Sequence, residues 1–548
     1  MSSTIIIGAD EFIENMPNEY TLTNSWMLQV PWLYNNTGLH MGSTETAKTT
    51  VEIRHAGKYR LYVHSHGKET SSFKVSVGGI QDSNVFGKQP RSWQAGDYFN
   101  LEEGEIELVL HALVPGASFD VIVLSSESDF DPEQTVKEKL PEDVQLLHEY
   151  QICLGSTVKF GDLKGDGKIG FVAFERDYSA HVYDHDGTEL WVYQAPSLDE
   201  CMGNRRSFEP PGVIWDIDGD GLGEVIHWRY FDGQSWLVAA HGLTGEIKQK
   251  TVFPSVPPNA FNNYRIAVAR LEPGYPRNII VFADSGGTIS ITAYSSDFQV
   301  VWTHVETRKK DNLGHYIYPR DITGDGLDDI IVGALALDAE GCVIWDKLYP
   351  DNHDHIDSMR FIDINNDGKL EIAAAYSDLG IQILCSESGE LLWQRPACHT
   401  QQIEAGYFLK EHLGPQIAAG ARIYRRLPDV YLSAQIYWYD CNGDFIGKWP
   451  NVPLNGNPDF VKGNWLGDEK DQLFWYKFLI DSSGKGRLYF PDQVYHMFDF
   501  TGDGAEEVIT LQGGRLRVYG SKSALRDPNS AKRDVEYMYR LVVNHTHY

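Results

Sequence analysis

Two histidines stand at matched places in this chain: His315 lies six residues before Asp321, and His355 lies eight before Asp363, with Asp357 two residues further on. Each is separated by a strand-length segment from an acidic loop that begins at Asp321 or Asp363. Six residues of strand span roughly 20 Å at about 3.3 Å each, so these histidines and the loop carboxylates serve different sites. Two imidazoles and a carboxylate brought together from neighbouring strands could bind a divalent metal, with Asp378 as a fourth ligand. The alternative is that the imidazoles only hydrogen-bond between strands.

The acidic loop itself recurs five times, as Asp162/Asp166, Asp216/Asp218/Asp220, Asp321/Asp325, Asp363/Asn365/Asp367 and Asp499/Asp503, each followed by glycine. Oxygen side chains at alternate positions, then a glycine that permits a sharp turn, suit a hard cation such as calcium. An acid follows four residues later in four of the loops, at Glu224, Asp329, Glu371 and Glu507. The first loop has Gly170 there and Lys164 in a ligand position, which weakens it as a site. Plain acidic turns are the competing reading. The apolar runs on either side read as short strands, so these are not EF-hands.

The elements that must position these residues follow from the loop spacing. Successive first aspartates are 54, 105, 42 and 136 residues apart, so the second and fourth intervals hold about two and three periods of roughly 45 to 52. Copies without the acidic triplet occur at Tyr264, Ile403 and Phe460, which makes eight units. In the same register a polar turn leads into a strand ending in Trp191, Trp302, Trp345 or Trp393, side chains suited to packing between units. Eight such units predict an all-β chain with an eight-bladed β-propeller over 145–548, its ring closed by a strand at Tyr537 pairing near Tyr150. Residues 1–126 lack the repeat and alternate apolar with polar positions, as in Thr50–Arg54 and Glu105–His111, which predicts an N-terminal β-sandwich. Such a sandwich could carry carbohydrate or simply pack; the acidic, Pro-containing stretch 127–144 reads as a linker.

Composition narrows the partners. A net charge of −30 argues against nucleic acid, and no apolar run is long enough to span a membrane. The first residues lack the basic and apolar regions of a secretory signal, and the six cysteines form no C-x-x-C pair, so a cytoplasmic setting with reduced thiols is expected, secretion being the alternative if a signal has been removed.

Several stretches resemble the family 11 polysaccharide lyases, the rhamnogalacturonan lyases: Gly314 to Gly333, which carries His315 into its acidic loop; His355 to Asp363; the turn His241 to Glu246; and Asn204-Arg205-Arg206. The sequence departs from that family at Tyr316, Arg320, Asp354 and Ser377-Asp378. The resemblance implies a calcium-rich propeller behind a sandwich domain. It also implies a Ca2+ ion at the channel mouth, held by His315, His355, Asp357 and Asp378 and contacting a substrate uronate. The chemistry would be β-elimination on an acidic oligosaccharide or polysaccharide, in which the charge developing on the uronate carboxylate must be neutralised and a base must take the neighbouring proton. Arg205, Arg206, Arg265 and Arg422 are candidates to grip the acidic sugar, with Arg320, Gln401 and Tyr495 also placed to line the mouth. Tyr264, Tyr316, Tyr318 or a lysine could serve as base beside Arg265. A glycoside hydrolase, or a noncatalytic calcium-stabilised carbohydrate-binding propeller, are the alternatives.

Overall fold

Short runs of Val, Ile, Ala and aromatic residues, broken every few positions by Gly, Asp and Asn turns, make a chain that is nearly all β. The computed structural model describes residues 3–23, 34, 37–66, 72–89, 91–136, 140–154, 157–197, 212–254, 264–284, 289–307, 313–347, 354–424, 432–455, 459–467, 470–524 and 534–543.

From residue 144 onward the strands form eight four-stranded antiparallel sheets. They are numbered here by their first strands: Thr157–Asp162, Gly212–Trp215, Tyr264–Ala269, Tyr318–Arg320, Ile356–Ile362, His399–Gly406, Phe460–Gly463 and Val494–Phe498. The units at Tyr264, Ile403 and Phe460 form sheets of the same kind without an acidic triplet. Burial runs in a gradient across each sheet. The second strand of sheet 5, Glu371–Tyr376, is buried throughout, whereas the fourth strand of sheet 3, Val300–Glu306, is largely exposed on alternate positions. That gradient fits a sheet sandwiched between neighbours on its inner side and wet at its outer edge.

Tryptophans on the fourth strands fasten one sheet to the next. Trp191 of sheet 1 donates its indole N–H to Gly242 O at 2.8 Å, Trp302 of sheet 3 to Ala339 O at 2.9 Å, and Trp345 of sheet 4 to Ser386 O at 2.7 Å. Each indole lies flat on a turn glycine of the following sheet: a Cβ on Gly245, Gly341 or Gly389 would come within 2.8 Å of the ring. These glycines also hold φ of 73°, 80° and 66°, so both space and backbone require glycine there.

Sheet 8 joins the two ends of this region. Its outer strand is Val144–Gln151, paired with Arg515–Ser521 so that Tyr150 faces Leu516. The strand at Tyr150 is therefore paired, but with a different partner from the one the sequence suggested. The segment expected as a closing strand is instead the helix Val535–Val543. Tyr537, Tyr539 and Leu541 mimic a strand's alternation, yet Met538, Tyr539, Leu541 and Val542 are the residues packed against the sheets. Asp499 N–H donates to Tyr537 Oη at 2.8 Å, Tyr539 Oη donates to the buried Asp328 carboxylate, and Arg270 pairs with Glu536 at 2.8 Å. The helix packs on the first strands of sheets 1 to 3. Beside it, a cavity of ≈ 430 Å³ is walled by the first strands of sheets 4 to 8, so helix and cavity together touch the first strand of all eight sheets.

The amino-terminal residues form a six-stranded and a four-stranded sheet, with Phe12, Phe73 and Phe119 meeting in the apolar core between them. That core continues into Phe408, Trp438, Trp449 and Trp475 of sheets 6 and 7, and Trp449 Nε1 donates to Glu14 Oε1 at 2.9 Å. The segment after residue 126 is anchored by Phe130 and Val136, which are buried against Tyr34 and Tyr62.

Candidate functional site

Each first strand starts at one end of its sheet and runs into a turn at the other, so residues at the strand starts gather at one end and the acidic loops at the opposite end. At that first end the pleat alone would alternate side chains between faces, but three strands are interrupted by a bulge. In sheet 5 the register slips between Ile356 and Ser358, leaving Asp357 as the extra residue. Sheets 6 and 8 slip in the same way at Gln401 and Tyr495. A bulge re-aims its side chain, and two of these three meet.

Asp357 is fully buried. Its Oδ2 accepts Ser377 Oγ–H at 2.6 Å and Gln401 Nε2–H at 2.9 Å. Its Oδ1 is turned to His315 Nε2 at 3.4 Å and His355 Nε2 at 3.3 Å, distances too long and too loosely aligned for hydrogen bonds. The two imidazoles stand edge to face, 4.7 Å apart at 78°. Burial raises the Asp357 carboxyl, but the close contacts with the two imidazoles, strongest whenever either ring is protonated, outweigh it and hold it at about 2. Burial pushes the His315 imidazole below its ordinary value, which keeps it neutral and able to ligate. An ionised oxygen and two imidazole nitrogens facing one another, within 4.8 Å, with the other carboxylate oxygen already satisfied, form a donor set that fits a divalent cation.

Asp354 pins this arrangement. Its carboxylate accepts the backbone N–H of His355 at 2.9 Å, of Asp378 at 3.0 Å and of Leu379 at 2.8 Å, which ties the Ser377–Leu379 turn to the start of sheet 5. Asp378 itself is turned outward, 83 % exposed, with Oδ1 at 3.3 Å from His399 Nδ1. Its carboxylate thus faces away from the cluster in which the sequence suggested a fourth ligand, while its own amide and that of Leu379 are held by Asp354. Ser377, noted in the sequence only as a departure from the resembled family, takes the position beside Asp357 and also lies 3.2 Å from His355 Nε2.

The other candidates divide by burial. Arg265 lies over the Tyr316 ring at 4.6 Å, donates to Tyr264 O at 2.9 Å, and contributes charge that depresses the His315 pKa, which places it next to the histidines. Tyr264, Tyr316 and Tyr318 are all buried. Tyr264 packs on Phe253, and Tyr318 Oη accepts Met359 N–H at 3.1 Å. Tyr495 Oη is held between Val158 N at 2.9 Å and Val158 O at 3.0 Å, joining sheet 8 to sheet 1. Arg422 pairs across the sheet with His399 and its charge acts on Asp459. Arg320 lies at the far end of its strand, on the cavity wall against Phe361. Arg205 and Arg206 lie outside the described residues.

The acidic loops share one hydrogen-bond plan. The first aspartate caps two loop amides, as where Gly324 and Gly326 N–H donate to Asp321 at 2.6 and 2.9 Å. The acid that ends the motif accepts the amide just after that aspartate: Ile217 to Glu224, Ile322 to Asp329, Ile364 to Glu371 and Phe500 to Glu507, all between 2.8 and 3.0 Å. Burial pushes Glu224 and Glu507 up to about 7 and Asp329 up to about 6, and a cation beside them would favour the ionised forms.

The middle residues of these loops depart from the expectation. Asp325, Asn365 and Asp503, anticipated as metal ligands, each turn a side-chain oxygen back onto the amide two residues on. Leu327 N–H donates to Asp325 at 2.8 Å, Asp367 N–H to Asn365 at 2.9 Å, and Ala505 N–H to Asp503 at 3.0 Å. Asp367 does the same with Lys369 N–H at 2.9 Å. The short side chains close local turns, and that geometry competes with pointing at a shared centre. Asp325 and Asn365 are also exposed. Among the described residues, the acids of the second loop alone, Asp216, Asp218 and Glu224, bring three ligand atoms within 4.8 Å of one another. Asp325, Asn365 and Asp503 thus each close a turn of their own loop. Even the second loop holds a cation of its own. Lys248 Nζ stands 2.5 Å from Asp218, 2.7 Å from Asp220 and 2.7 Å from Glu224, an ammonium in the place where calcium was expected.

No family model matches the chain. Two Bacillus subtilis proteins are similar in sequence: rhamnogalacturonan exolyase YesX, 22 % identical over 297 residues, 42 % of this chain and 47 % of that protein; and rhamnogalacturonan endolyase YesW, 22 % identical over 437 residues, 66 % of each. The matched part thus spans about half of the first relative and just under two thirds of the second. The crystal structure of exotype rhamnogalacturonan lyase YesX has a similar fold, with a TM-score of 0.54 and 15 % identity, over 97 % of this chain and 94 % of that one.

Proposed function

We propose that this chain, a distant relative of the rhamnogalacturonan lyases, is a polysaccharide lyase that cleaves a uronic-acid glycoside in rhamnogalacturonan-type pectin fragments by β-elimination. The eight sheets are then the blades of a β-propeller, the two amino-terminal sheets a β-sandwich, and the strand starts of sheets 4 to 6 the wall of a substrate cleft.

The observation that carries the reading is Asp357: a buried carboxylate, ionised down to about 2, with one oxygen satisfied and the other aimed between two imidazoles. His315, His355 and Asp357 would hold the Ca2+ ion, which when bound neutralises charge on the substrate carboxylate. The residues of the chain supply the rest. Arg265, beside His315, adds fixed positive charge where the uronate docks, and a preorganised guanidinium costs no rearrangement as negative charge grows. The buried tyrosines leave His399 as the better proton acceptor. It lies two residues before Gln401, is 20 % exposed, and has Asp378 against Nδ1 to fix its tautomer and stabilise the charged ring. His399 takes the proton next to the carboxylate, its electron pair becomes the new carbon–carbon double bond, and the glycosidic oxygen leaves with the bonding pair. Ca2+ at the acidic loops would rest on their first and last acids, Asp321 with Asp329, Asp363 with Glu371 and Asp499 with Glu507, and would serve stability.

The test is incubation with rhamnogalacturonan oligosaccharides, with and without chelator, followed by ultraviolet absorbance of the unsaturated product. Absorbance that appears and is lost on chelation supports the reading. New reducing ends without absorbance would make the protein a hydrolase and overturn it.

A further inference from the structure

A second pair of imidazoles around a buried carboxylate lies in the amino-terminal domain, far along the chain from His315 and His355. It is built by the same device. The strand Ala117–Ser125 slips register against Gly57–Ser65 between Phe119 and Val121, and the extra residue is Asp120. His64 and His66, two apart and so on one face of the chain, come to it from the paired strand and the residue just past its end.

Asp120 is fully buried, and its Oδ2 accepts Tyr34 N–H at 2.7 Å. Its Oδ1 is left to the histidines, 2.8 Å from His64 Nδ1 and 3.3 Å from His66 Nε2. The rings stand edge to face at 4.6 Å and 80°, close to the geometry of His315 and His355. Trp93 covers His64 at 5.1 Å. The His66 side chain is only 2 % exposed, yet among the described residues neither of its ring nitrogens has a well-formed hydrogen bond. A buried imidazole in that state has lost its water without replacement, which proteins seldom leave unresolved. Its Nε2 points at the same carboxylate oxygen as its neighbour, and all three ligand atoms lie within 4.8 Å of one another.

We propose that His64, His66 and Asp120 form a binding site for a divalent transition-metal ion of the Zn2+ class, distinct from the calcium chemistry of the acidic loops. Two nitrogens and one oxygen suit Zn2+ or Co2+; at His315 and His355 a substrate uronate would add the further oxygens that calcium prefers, whereas this buried cluster has no such partner among the described residues. Ligands about 2.0–2.1 Å from a tetrahedral zinc are about 3.3 Å apart, which His66 Nε2 already matches, while His64 Nδ1, hydrogen-bonded at 2.8 Å, would draw back by about 0.5 Å and give up any proton it shares. Three protein ligands leave a fourth position for water or another donor. The ion would tie the two central strands of the larger sheet to the segment at Tyr34, whose amide already holds the carboxylate, so binding couples to the folding of this domain.

The test uses the full chain carrying His315→Ala and His355→Ala, which removes the other two-histidine cluster. Titration with Co2+, read by its visible absorption, should show one equivalent bound in a tetrahedral site. Adding His66→Gln should weaken that binding at least tenfold. X-ray absorption of the Zn2+-loaded His315→Ala/His355→Ala chain needs no change in the amino-terminal domain and should show two imidazoles and at least one oxygen. Absence of a tight equivalent, binding unchanged by His66→Gln, or a shell without two imidazoles would each overturn the proposal, and the cluster would then be a hydrogen-bonded His–Asp–His group.

Discussion

Gln401 reaches across from sheet 6 to give Asp357 Oδ2 a hydrogen bond at 2.9 Å, and both residues stand at bulges of their strands. The contact fixes which carboxylate oxygen remains for the imidazoles. Replacing Gln401 with Leu should lower calcium affinity at the cluster by about 10–100-fold, the usual effect of removing a group that orients a ligand. Calorimetric titration checks this, and a variant with unchanged affinity would mean that Ser377 alone suffices.

His315 and Asp363 should separate by what their loss changes. His315→Ala removes a largely buried ring from the cluster and should cut turnover at least about 100-fold with little shift in Tm. Asp363→Ala strips the acceptor from Asp367 N–H at 3.0 Å and Gly368 N–H at 2.9 Å, at a cost of about 1 kcal/mol because both amides are exposed, and should lower Tm first. Paired melting curves and rate assays decide it; full activity in His315→Ala would remove the cluster from the reaction.

Lys248 competes with metal in the second loop. With its ammonium replaced in Lys248→Met, three carboxylates face one another without a cation, and calcium affinity there should rise by on the order of tenfold, equivalent to about 1.4 kcal/mol. The measurable sign is a larger rise in Tm on adding calcium than the parent chain gives. An unchanged rise would mean that this loop does not bind the ion.

His227 should set part of the acid sensitivity. The ring is fully buried, burial holds its pKa well below the ordinary 6.5, and its Nε2 accepts Arg229 Nε–H at 3.0 Å, so it is neutral in the fold. Below 6.5 the unfolded chain takes up a proton that the folded one refuses. Stability is therefore complete above that pH and falls as pH drops, by up to about 1.4 kcal/mol per unit. Urea unfolding from neutral to mildly acid pH should show this slope, and His227→Gln should flatten it.

The acidic loops, their period, the inter-sheet tryptophans and the convergence of His315, His355 and Asp357 were legible because each depends on residue type at fixed spacing. Bulges were not: nothing in Ile356-Asp357-Ser358 announces an extra residue, yet the slip aims Asp357 and brings Ser377 beside it while Asp378 faces solvent. Nor does spacing show that Asp325, Asn365 and Asp503 each place one oxygen on the amide two residues on and so cap a turn. Lys248 was missed because it comes from a different strand of the sheet, Ile247–Val252, 24 residues beyond Glu224. The carboxyl-terminal helix was misread because a nine-residue element can satisfy period two and period 3.6 at once, and only its docking partners decide.

Sheet 8 draws its outer strand from residues 144–151 and the rest from 494–521. During synthesis, Val144–Gln151 must wait for its partner strand until Arg515–Ser521 has left the ribosome. A chain cut short before Arg515 would leave Val144–Gln151 as a bare strand edge, ready to pair with another molecule. Fragments of this protein should accordingly be found in aggregates or degraded, and the intact chain should unfold with this joint as its first seam.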